Sequence, residues 1–461
     1  MVMQRSRQQG NVIIMVALSM AVLIGVVGLA IDTGVTYMVK DKLNAATDAA
    51  SLAAARAVSQ GADQATQTAN AKAAAGRFFA ANFPPNYMGS TGKMDDPSVV
   101  FNSGKVTITV TAQASMPVSF LKLLGVSPLK PGVVSQTVRK DLDMVVVLDT
   151  SGSLSGSGAN VITSATTFLK QFNADQDRVG LLHFSYGAVI DDPIRPTARG
   201  FDRDSMINHI KNYSFSGSTA SPEGLYWARQ QLNSVPTANL NRSNLRVIIF
   251  FSDGAPNSFG AYLNWKTASD CKTAGTIATD DDGSGTPAGL YYLDRVSDTL
   301  GGKCTPSETY DYALGRYQTL PDKVSSLPDW YNAHNPSTNP NDPTLREYAV
   351  VTSSPRVVTN TITYANVNRA SRNLVEAMAR KSQDEGIYVF TLGLGASLKA
   401  GTGYDNEKGE DVLKCMANST DAPARCFNAA KPVGLYCYAA TTSDLTPCFS
   451  KLASAIMRIS K

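Results

Sequence analysis

The sequence predicts an α/β protein, with a doubly wound and mostly parallel sheet that follows an N-terminal membrane helix. Two apolar runs, 144–148 and 247–251, have the β-branched and aromatic composition of parallel strands that are buried on both faces. An amphipathic pattern over 367–384 fits a helix in the layers that cover such a sheet. A further stretch, 12–31, carries no charge and has the length of a membrane span.

The composition indicates a folded chain of two to three domains and excludes several classes of protein. The chain has 461 residues, 43% of them apolar and 17% charged, which is enough apolar material for at least one large core. A net charge of +4 is far from the concentrated basic stripe of a nucleic-acid binder, so no nucleic-acid partner is expected. His183, His209 and His334 are scattered, which argues against a histidine-built zinc site.

The uncharged stretch 12–31 predicts a retained membrane anchor. A helix rises about 1.5 Å per residue, so this run can cross a hydrocarbon core of about 30 Å. Arg5 and Arg7 precede it and Asp32 follows it, which predicts a cytoplasmic N-terminus and an outward-facing body. A cleaved signal peptide is an alternative, although the run is longer than usual for one. A buried core helix is the second alternative.

The six cysteines all follow the apolar run, on its outward side. An even number of cysteines in an oxidising compartment predicts up to three disulfides, and six buried thiols are the alternative. Fifteen pairings are possible, and we expect Cys271 to pair with Cys304 because both lie in one irregular segment. The candidates for disulfides are Cys271, Cys304, Cys415, Cys426, Cys437 and Cys448.

Changes in pattern along the chain predict three regions. Residues 1–60 form the anchor and a helix that continues it through an Ala-rich, Pro-free stretch. Residues 61–140 form a small region with a linker or second helix and short strands. Residues 141–461 form the α/β domain, which carries a long insertion at about 258–365. Further elements are expected as strands at 98–101, 106–112, 133–138, 178–185, 188–191, 387–393 and 436–439, and as helices at 160–172, 222–232 and 445–459.

Polar residues with oxygen donors follow three of these strands or loops. Asp149, Ser151 and Ser153 form a D-x-S-x-S motif at the end of the first buried strand. Thr219 lies in a hydroxyl-rich loop before a helix, and Asp253 ends the strand at 246–251. Ligands of α/β sheets bind at the carboxyl ends of the strands, and oxygen donors suit Mg²⁺ or another divalent cation such as Mn²⁺ or Ca²⁺. Taken singly, these residues could instead be a helix cap and a turn.

The charges of these donors predict which of them would bind the cation directly. Ser151, Ser153 and Thr219 would ligate through neutral hydroxyls, while Asp149 and Asp253 would hold coordinated waters or hydroxyls. A cation with so little direct anionic ligation stays electrophilic. It could therefore accept a carboxylate from a partner protein at an open position.

The region that carries these donors resembles a von Willebrand factor type A domain, whose metal-ion-dependent adhesion site (MIDAS) matches the five residues one by one. The chain also resembles the TadE/TadG-like proteins of tight-adherence (Flp) pilus systems. This second resemblance is carried by residues 9–11, 30–32, 43–53 and 219–229. The resemblance covers about residues 5–58 and 132–257 and resumes from about 367.

The resemblance implies a doubly wound A-like fold, a single-pass anchor in the bacterial inner membrane, and a body that is periplasmic or exported to the cell surface. It implies a role in pilus assembly or adhesion, with pilus or secretion-system components as partners. The chain departs from the pseudopilin pattern at Met15, where a Glu is expected after a cleavage site at Gly10. Met15 therefore argues against cleavage by prepilin peptidase and against a role as a minor pilin subunit.

The sequence favours a binding protein over an enzyme. It contains no G-x-S-x-G, H-E-x-x-H or complete phosphate-binding loop. The first hypothesis is a protein that captures an acidic group of a partner. An envelope sensor or scaffold without an adhesive role is the second, and a metal-dependent hydrolase, which needs further carboxylates, is the third. The insertion is either a specificity element or an inert elaboration, and its acidic run 280–285 hints at calcium but fits a solvated turn better.

Overall fold

The computed structural model divides the chain into two compact units, Met1–Arg139 and Lys140–Lys461. The segments that it describes are 9–58, 64–102, 105–125, 128–140, 142–236, 242–243, 245–267, 271, 273–279, 287, 290–301, 304, 310–334 and 346–459.

The first unit begins with a helix of 49 residues, α1 (Gln9–Ala57), which is about 74 Å long. Its apolar run exposes its side chains, as at Ile13, which is 72% exposed. Within the described segments, this is the one helix long and apolar enough to cross a membrane. The second helix, α2 (Gln64–Asn82), occupies the stretch for which the sequence left a linker or a helix open.

A four-stranded antiparallel sheet completes the first unit and shares one core with the two helices. Its long central strand, β3, pairs with β1 and β2 along one edge and with β4. Small residues of α1, such as Ala46 and Ala50, pack with Ile108 and Val110 of β3. The strands are β1 (Thr91–Met94), β2 (Ser98–Asn102), β3 (Lys105–Ser115) and β4 (Gly132–Lys140).

The second unit is built on a six-stranded sheet in the order β17-β14-β8-β5-β6-β7. All neighbours are parallel except β7, which runs antiparallel to β6. Every residue of β5, β6 and β8 is buried, as the apolar runs predicted. The strands are β5 (Leu142–Asp149), β6 (Arg178–Phe184), β7 (Ala188–Asp192), β8 (Leu245–Ser252), β14 (Ile387–Leu394) and β17 (Tyr436–Ala439).

Helices cover both faces of this sheet, which confirms the α/β class. Alternate residues of β5 point to opposite faces: Val146 packs with the core around Phe168, and Val147 with the core around Leu374. The helices are α3 (Gly158–Leu169), α4 (Arg203–Lys211), α5 (Ser221–Ser234), α7 (Tyr364–Asp384), α8 (Gly409–Ala417) and α9 (Leu445–Ile459). Of these, α4 and α8 are additions to the elements expected from the sequence.

The described residues of the insertion include short regular elements. They form a three-stranded antiparallel sheet, a two-stranded hairpin and one helical turn. These elements are β9 (Ser258–Tyr262), β10 (Ala274–Ala278), β11 (Leu290–Tyr291), β12 (Tyr310–Asp311), β13 (Arg316–Tyr317) and α6 (Leu320–Lys323). A small hairpin beyond α7 comprises β15 (Gly401–Thr402) and β16 (Glu407–Lys408).

The six cysteines form three disulfides, all in the second unit. Cys271 pairs with Cys304 inside the insertion, as expected from the sequence. Cys415 pairs with Cys426, which ties α8 to the loop after it. Cys437 pairs with Cys448 and joins the edge strand β17 to α9. The alternative of six free thiols is therefore wrong.

A buried ion pair lies at the amino end of β5. The carboxylate of Asp143 accepts hydrogen bonds from Arg178 Nη1 at 2.9 Å and from Arg199 Nη1 at 2.8 Å. It also accepts one from the backbone N–H of Ser243 at 2.8 Å. The side chains of Asp143 and Arg178 are both 0% exposed. This cluster neutralises the amino end of the central strand.

The substitution Asp143→Ala should lower the free energy of unfolding of the second unit by about 3–5 kcal/mol, because it leaves the Arg178 guanidinium buried without its carboxylate. All three tryptophans of the chain lie in this unit, so their fluorescence during urea unfolding reports it. Lys431→Ala removes the exposed pair with Asp384 and should cost less than about 1 kcal/mol. Equal losses for the two variants would contradict the prediction.

Candidate metal centre

The first loop of the candidate site leaves the carboxyl end of β5. Asp149 is 0% exposed, and its Oδ1 accepts a hydrogen bond from the backbone N–H of Ser151 at 2.8 Å. The hydroxyls of Ser151 and Ser153 lie 3.2 Å apart. Ser151 precedes a short 3₁₀ turn, Gly152–Leu154, but its side chain makes no capping hydrogen bond, and α3 starts only at Gly158. The D-x-S-x-S motif thus forms a compact turn with its oxygens clustered.

The second loop is joined to the first by backbone hydrogen bonds. Ser216 donates its N–H to the carbonyl of Thr150 at 2.9 Å, and Gly152 donates to the carbonyl of Gly217 at 3.1 Å. Gly217 has a φ of +85°, and a Cβ there would collide with the side chain of Ser185. Glycine is therefore required at this position. These bonds hold the segment that leads to Thr219 against the D-x-S-x-S turn.

The third loop leaves β8 and closes the cluster. Ser153 Oγ donates a hydrogen bond to Asp253 Oδ1 at 2.8 Å, across 100 residues of sequence. Thr219 donates its N–H to Asn257 Oδ1 at 2.8 Å. Its hydroxyl lies 3.6 Å from the position that a Cβ on Gly254 would take. The loops of Asp149, Thr219 and Asp253 therefore meet at the carboxyl edge of the sheet, as the strand order predicted.

The carboxylate of Asp149 is shielded from water. Burial raises the pKa of Asp149 to about 6, while hydrogen bonds from Ser151 and Ser252 act in the opposite direction. In the described part of the chain, no group of three or more His, Cys, Asp or Glu side chains is arranged to hold a metal. A cation at this edge would thus depend on hydroxyl donors, and the two carboxylates with three hydroxyls fit a hard divalent cation.

Two residues that the sequence did not single out, Ser252 and Asn257, position the site, and a third, Glu223, attaches the insertion. Ser252 Oγ donates to Asp149 Oδ2 at 2.6 Å, and Asn257 fixes the backbone of Thr219. Glu223, in the first turn of α5, is fully buried. Ser252 adjoins Asp253 and could have been noticed for that reason, whereas the partners of Asn257 and Glu223 are distant in sequence.

The insertion is attached to the helix that follows the second loop. Glu223 Oε1 accepts hydrogen bonds from the N–H of Gly260 and the hydroxyl of Tyr331, both at 2.8 Å. Its Oε2 lies 2.7 Å from His334 Nε2, and the His334 ring stacks on Tyr226. A single buried carboxylate thus joins two parts of the insertion, β9 and the segment 331–334.

Another part of the insertion packs on the turn between β6 and β7, and its Val296 carbonyl lies next to Gly217 of the second loop. Gly187 and Ala188 donate their N–H groups to the carbonyls of Arg295 and Leu293, at 3.0 Å and 2.9 Å. The Arg295 side chain is about half exposed and lies over the ring of Tyr292. The acidic run 280–285, with its hint of calcium, lies outside the described residues.

The second unit falls into a known class. The family model of the von Willebrand factor type A domain matches residues 143–279, which include the three loops and the start of the insertion. The unit therefore has a von Willebrand factor A-like α/β fold, and a metal-binding MIDAS is frequent in domains of that class.

A second family model matches the anchor. The Flp pilus-assembly TadE/G-like family matches residues 10–57, almost the whole of α1. The chain therefore combines a TadE/G-like segment with an A domain, as the resemblance implied. Its long apolar helix fits a single-pass membrane anchor.

Solved structures with the same type of domain are similar to this chain at low identity. The vWF domain of the type V pilus tip protein Mfa5 from Porphyromonas gingivalis is 15% identical, with 70% of this chain and 98% of that one covered at a TM-score of 0.38. The pilus adhesin SpaC from Lactobacillus rhamnosus GG is 14% identical, with 80% and 35% covered at 0.37. The chain thus spans about a third of SpaC.

A mussel byssus protein, proximal thread matrix protein 1 with a zinc-occupied MIDAS motif, is 10% identical to this chain. The match covers 68% of this chain and 47% of that one, at a TM-score of 0.32. A search of the curated proteins found no match.

Replacing Asp149 with Asn should change how the stability of the metal-free protein depends on pH. A folded-state pKa of about 6, above the ordinary 3.8, means that the folded state binds the proton more tightly. This contribution to stability is complete below about pH 4 and is lost as pH rises through 6, a loss of up to about 3 kcal/mol. The advantage of Asp149→Asn over the natural protein should therefore grow by up to that amount between pH 4 and pH 7.

Tryptophan-detected urea unfolding in the presence of a chelator measures this difference. The other carboxylates, such as Glu407, whose pKa is lowered by Arg356, contribute equally to both proteins and cancel. A constant difference between the variant and the natural protein across this pH range would contradict the prediction.

Proposed function

We propose that this chain is a membrane-anchored protein of tight-adherence pilus assembly or adhesion that binds an acidic group of a partner protein. The meeting of three strand-end loops, in which Ser153 connects the Asp149 turn to Asp253, is the observation that carries the proposal. The partner is a pilus or secretion-system component. The TadE/G-like match to α1 supports this setting.

The cation in this proposal is Mg²⁺ or a similar divalent ion such as Mn²⁺ or Ca²⁺. Ser151, Ser153 and Thr219 hold it through hydroxyl oxygens, and Asp149 and Asp253 balance its charge from behind. When bound, such a cation supplies a Lewis-acidic point to which a carboxylate of the partner can bind. Burial of Asp149 supports the proposal, because a desolvated carboxylate gains most from a nearby cation.

The anchor of the proposed protein is α1, which crosses the inner membrane once with its N-terminus in the cytoplasm. The body then lies in the periplasm or at the cell surface. The three disulfides of the second unit support this placement, because disulfides persist in oxidising compartments. An envelope scaffold that binds secretion-machinery proteins without adhesion is the alternative within the same geometry.

Divalent metal should stabilise the full-length protein in detergent through the candidate site. A ligand at 100 times its dissociation constant adds about 2.7 kcal/mol to the free energy of unfolding. We expect a gain of this order for the natural protein with Mg²⁺ or Mn²⁺ and almost none for Ser153→Ala. The matched control is Ser155→Ala, an exposed serine two residues further along the same loop, which should keep the full gain.

The gain is measured by tryptophan-detected urea unfolding with and without metal, and the bound Mn²⁺ is counted by electron paramagnetic resonance. A natural protein that binds no metal, or a Ser153→Ala variant that binds it as well as Ser155→Ala, would refute the assignment of this site.

In cells, Thr219→Ala should abolish adherence or pilus display while the protein remains at its natural level in the membrane. Thr219 is a proposed ligand, so its loss removes partner capture without removing the anchor. Immunoblotting measures protein level, electron microscopy counts pili, and binding to a surface measures adherence; Ser155→Ala is again the control. Normal pili and normal adherence in Thr219→Ala would favour the scaffold over the adhesion protein.

A further inference from the structure

The connection between β3 and β4 is fastened to α1 by one buried carboxylate. Asp32 is 4% exposed and accepts three backbone hydrogen bonds from this connection. The donors are the N–H groups of Ser119 at 3.1 Å, Phe120 at 2.9 Å and Leu121 at 2.8 Å. A carboxylate with three N–H partners fixes the position of this segment along the helix axis.

A second contact lies one helical turn nearer the N-terminus. Gly28 is buried, although its neighbours Leu29 and Ile31 are each 48% exposed. The ring of Phe120 covers it, and a Cβ on Gly28 would collide with that ring. Residues 28 and 32 lie on the same face of α1 because they are four apart. Phe120 therefore packs against the apolar run itself.

The position of Gly28 sets the depth of Phe120 in a membrane. Gly28 lies three residues before the end of the run 12–31, which is about 4.5 Å along the helix axis. The run is about as long as a hydrocarbon core is thick, so Gly28 belongs near the boundary between acyl chains and headgroups. Whatever packs on Gly28 must occupy the same depth.

The segment that reaches this depth has the composition of an interfacial anchor. Phe120 and Leu121 are half-buried in the protein, and Lys122 is exposed. Phe and Leu are side chains that interfacial segments insert at the boundary between headgroups and acyl chains, and a lysine can keep its charge among headgroup phosphates while its stem stays apolar. Two apolar side chains and one basic side chain are thus adjacent at the depth where the apolar and anionic layers of a bilayer meet.

We propose that residues 119–122 dock into the outer interface of the bilayer beside α1, with phospholipid as the ligand. Leu121 contacts acyl chains next to Phe120, and Lys122 binds headgroup phosphate. The first unit is then held to the membrane surface at two places, the helix and this segment. The inference rests on the proposed membrane anchor, since it places the segment by its contact with the spanning run.

Site-directed spin labelling tests the docking. The six natural cysteines are all paired, so a substituted cysteine is the single free thiol. The full-length protein carrying Leu121→Cys is labelled with a nitroxide and reconstituted into vesicles of phosphatidylcholine and phosphatidylglycerol. Collisions with oxygen, which concentrates in lipid, are compared with collisions with a water-soluble nickel chelate.

Two control positions provide reference ratios, one in lipid and one in water. Leu23→Cys labels the middle of the run, and Val100→Cys labels a side chain that is 52% exposed on β2. Val100 pairs with Thr107, eight residues before the end of β3, which places it about 26 Å from the connection. We expect the oxygen-to-nickel ratio at Leu121 to be severalfold above that at Val100 and to approach that at Leu23.

Three results would overturn the proposal. A ratio at Leu121 equal to that at Val100, with Leu23 in lipid, means that the segment faces water while the anchor stands. Low access to both reagents at Leu121 means that protein covers the segment. A water-exposed label at Leu23 means that the membrane anchor is wrong, and the docking proposal with it.

A label at Lys122→Cys gives a second measurement in a protein whose Phe120 and Leu121 are intact. It should report an intermediate oxygen-to-nickel ratio, as expected at headgroup depth.

Discussion

The burial of the Asp149 carboxylate at the end of a central parallel strand is the constraint on which the A domain depends. Neighbouring strands β5 and β8 are in register along their lengths, so Leu148 lies opposite Phe251 and the two following loops start at one level. A charge placed there needs polar partners on all sides, and Ser151 and Ser252 supply them. The adjoining loops place these polar partners beside the carboxylate.

Much of the fold could be predicted because its central strands carry unambiguous signals. Runs such as 144–148 are apolar throughout, and only a doubly covered sheet buries every residue of a strand. The helices α4 and α8 were missed because they span nine residues each, too few for a periodic pattern to stand out. The strands of the insertion were missed for the same reason, since β9 and β10 have five residues each and depend on each other for pairing.

The five candidate ligands could be predicted because each follows a recognisable strand or precedes a helix. The residues that position these ligands could not be predicted, because their partners are distant in the sequence and come near only in the folded chain. Asn257 contacts Thr219 over 38 residues, and Glu223 contacts His334 over 111. One disulfide could be predicted and another could not. The position of Cys271 and Cys304 in one irregular segment suggested their pairing, whereas Cys437 pairs with Cys448 because α9 packs beside the edge strand.

The direct passage from β4 to β5 has a mechanical consequence. The chain leaves β4 at Lys140 and enters the sheet at Leu142, and the same strand ends at Asp149. In the proposed adhesion role, a pull on the anchor would reach the second unit at the amino end of β5, while a partner at Asp149 and Asp253 would pull on the carboxyl ends of β5 and β8. The part of the load that enters β8 would pass to β5 through the hydrogen bonds between these two parallel strands, which would be loaded together in shear rather than opened one after another. The insertion and the outer helices stay off this line of force.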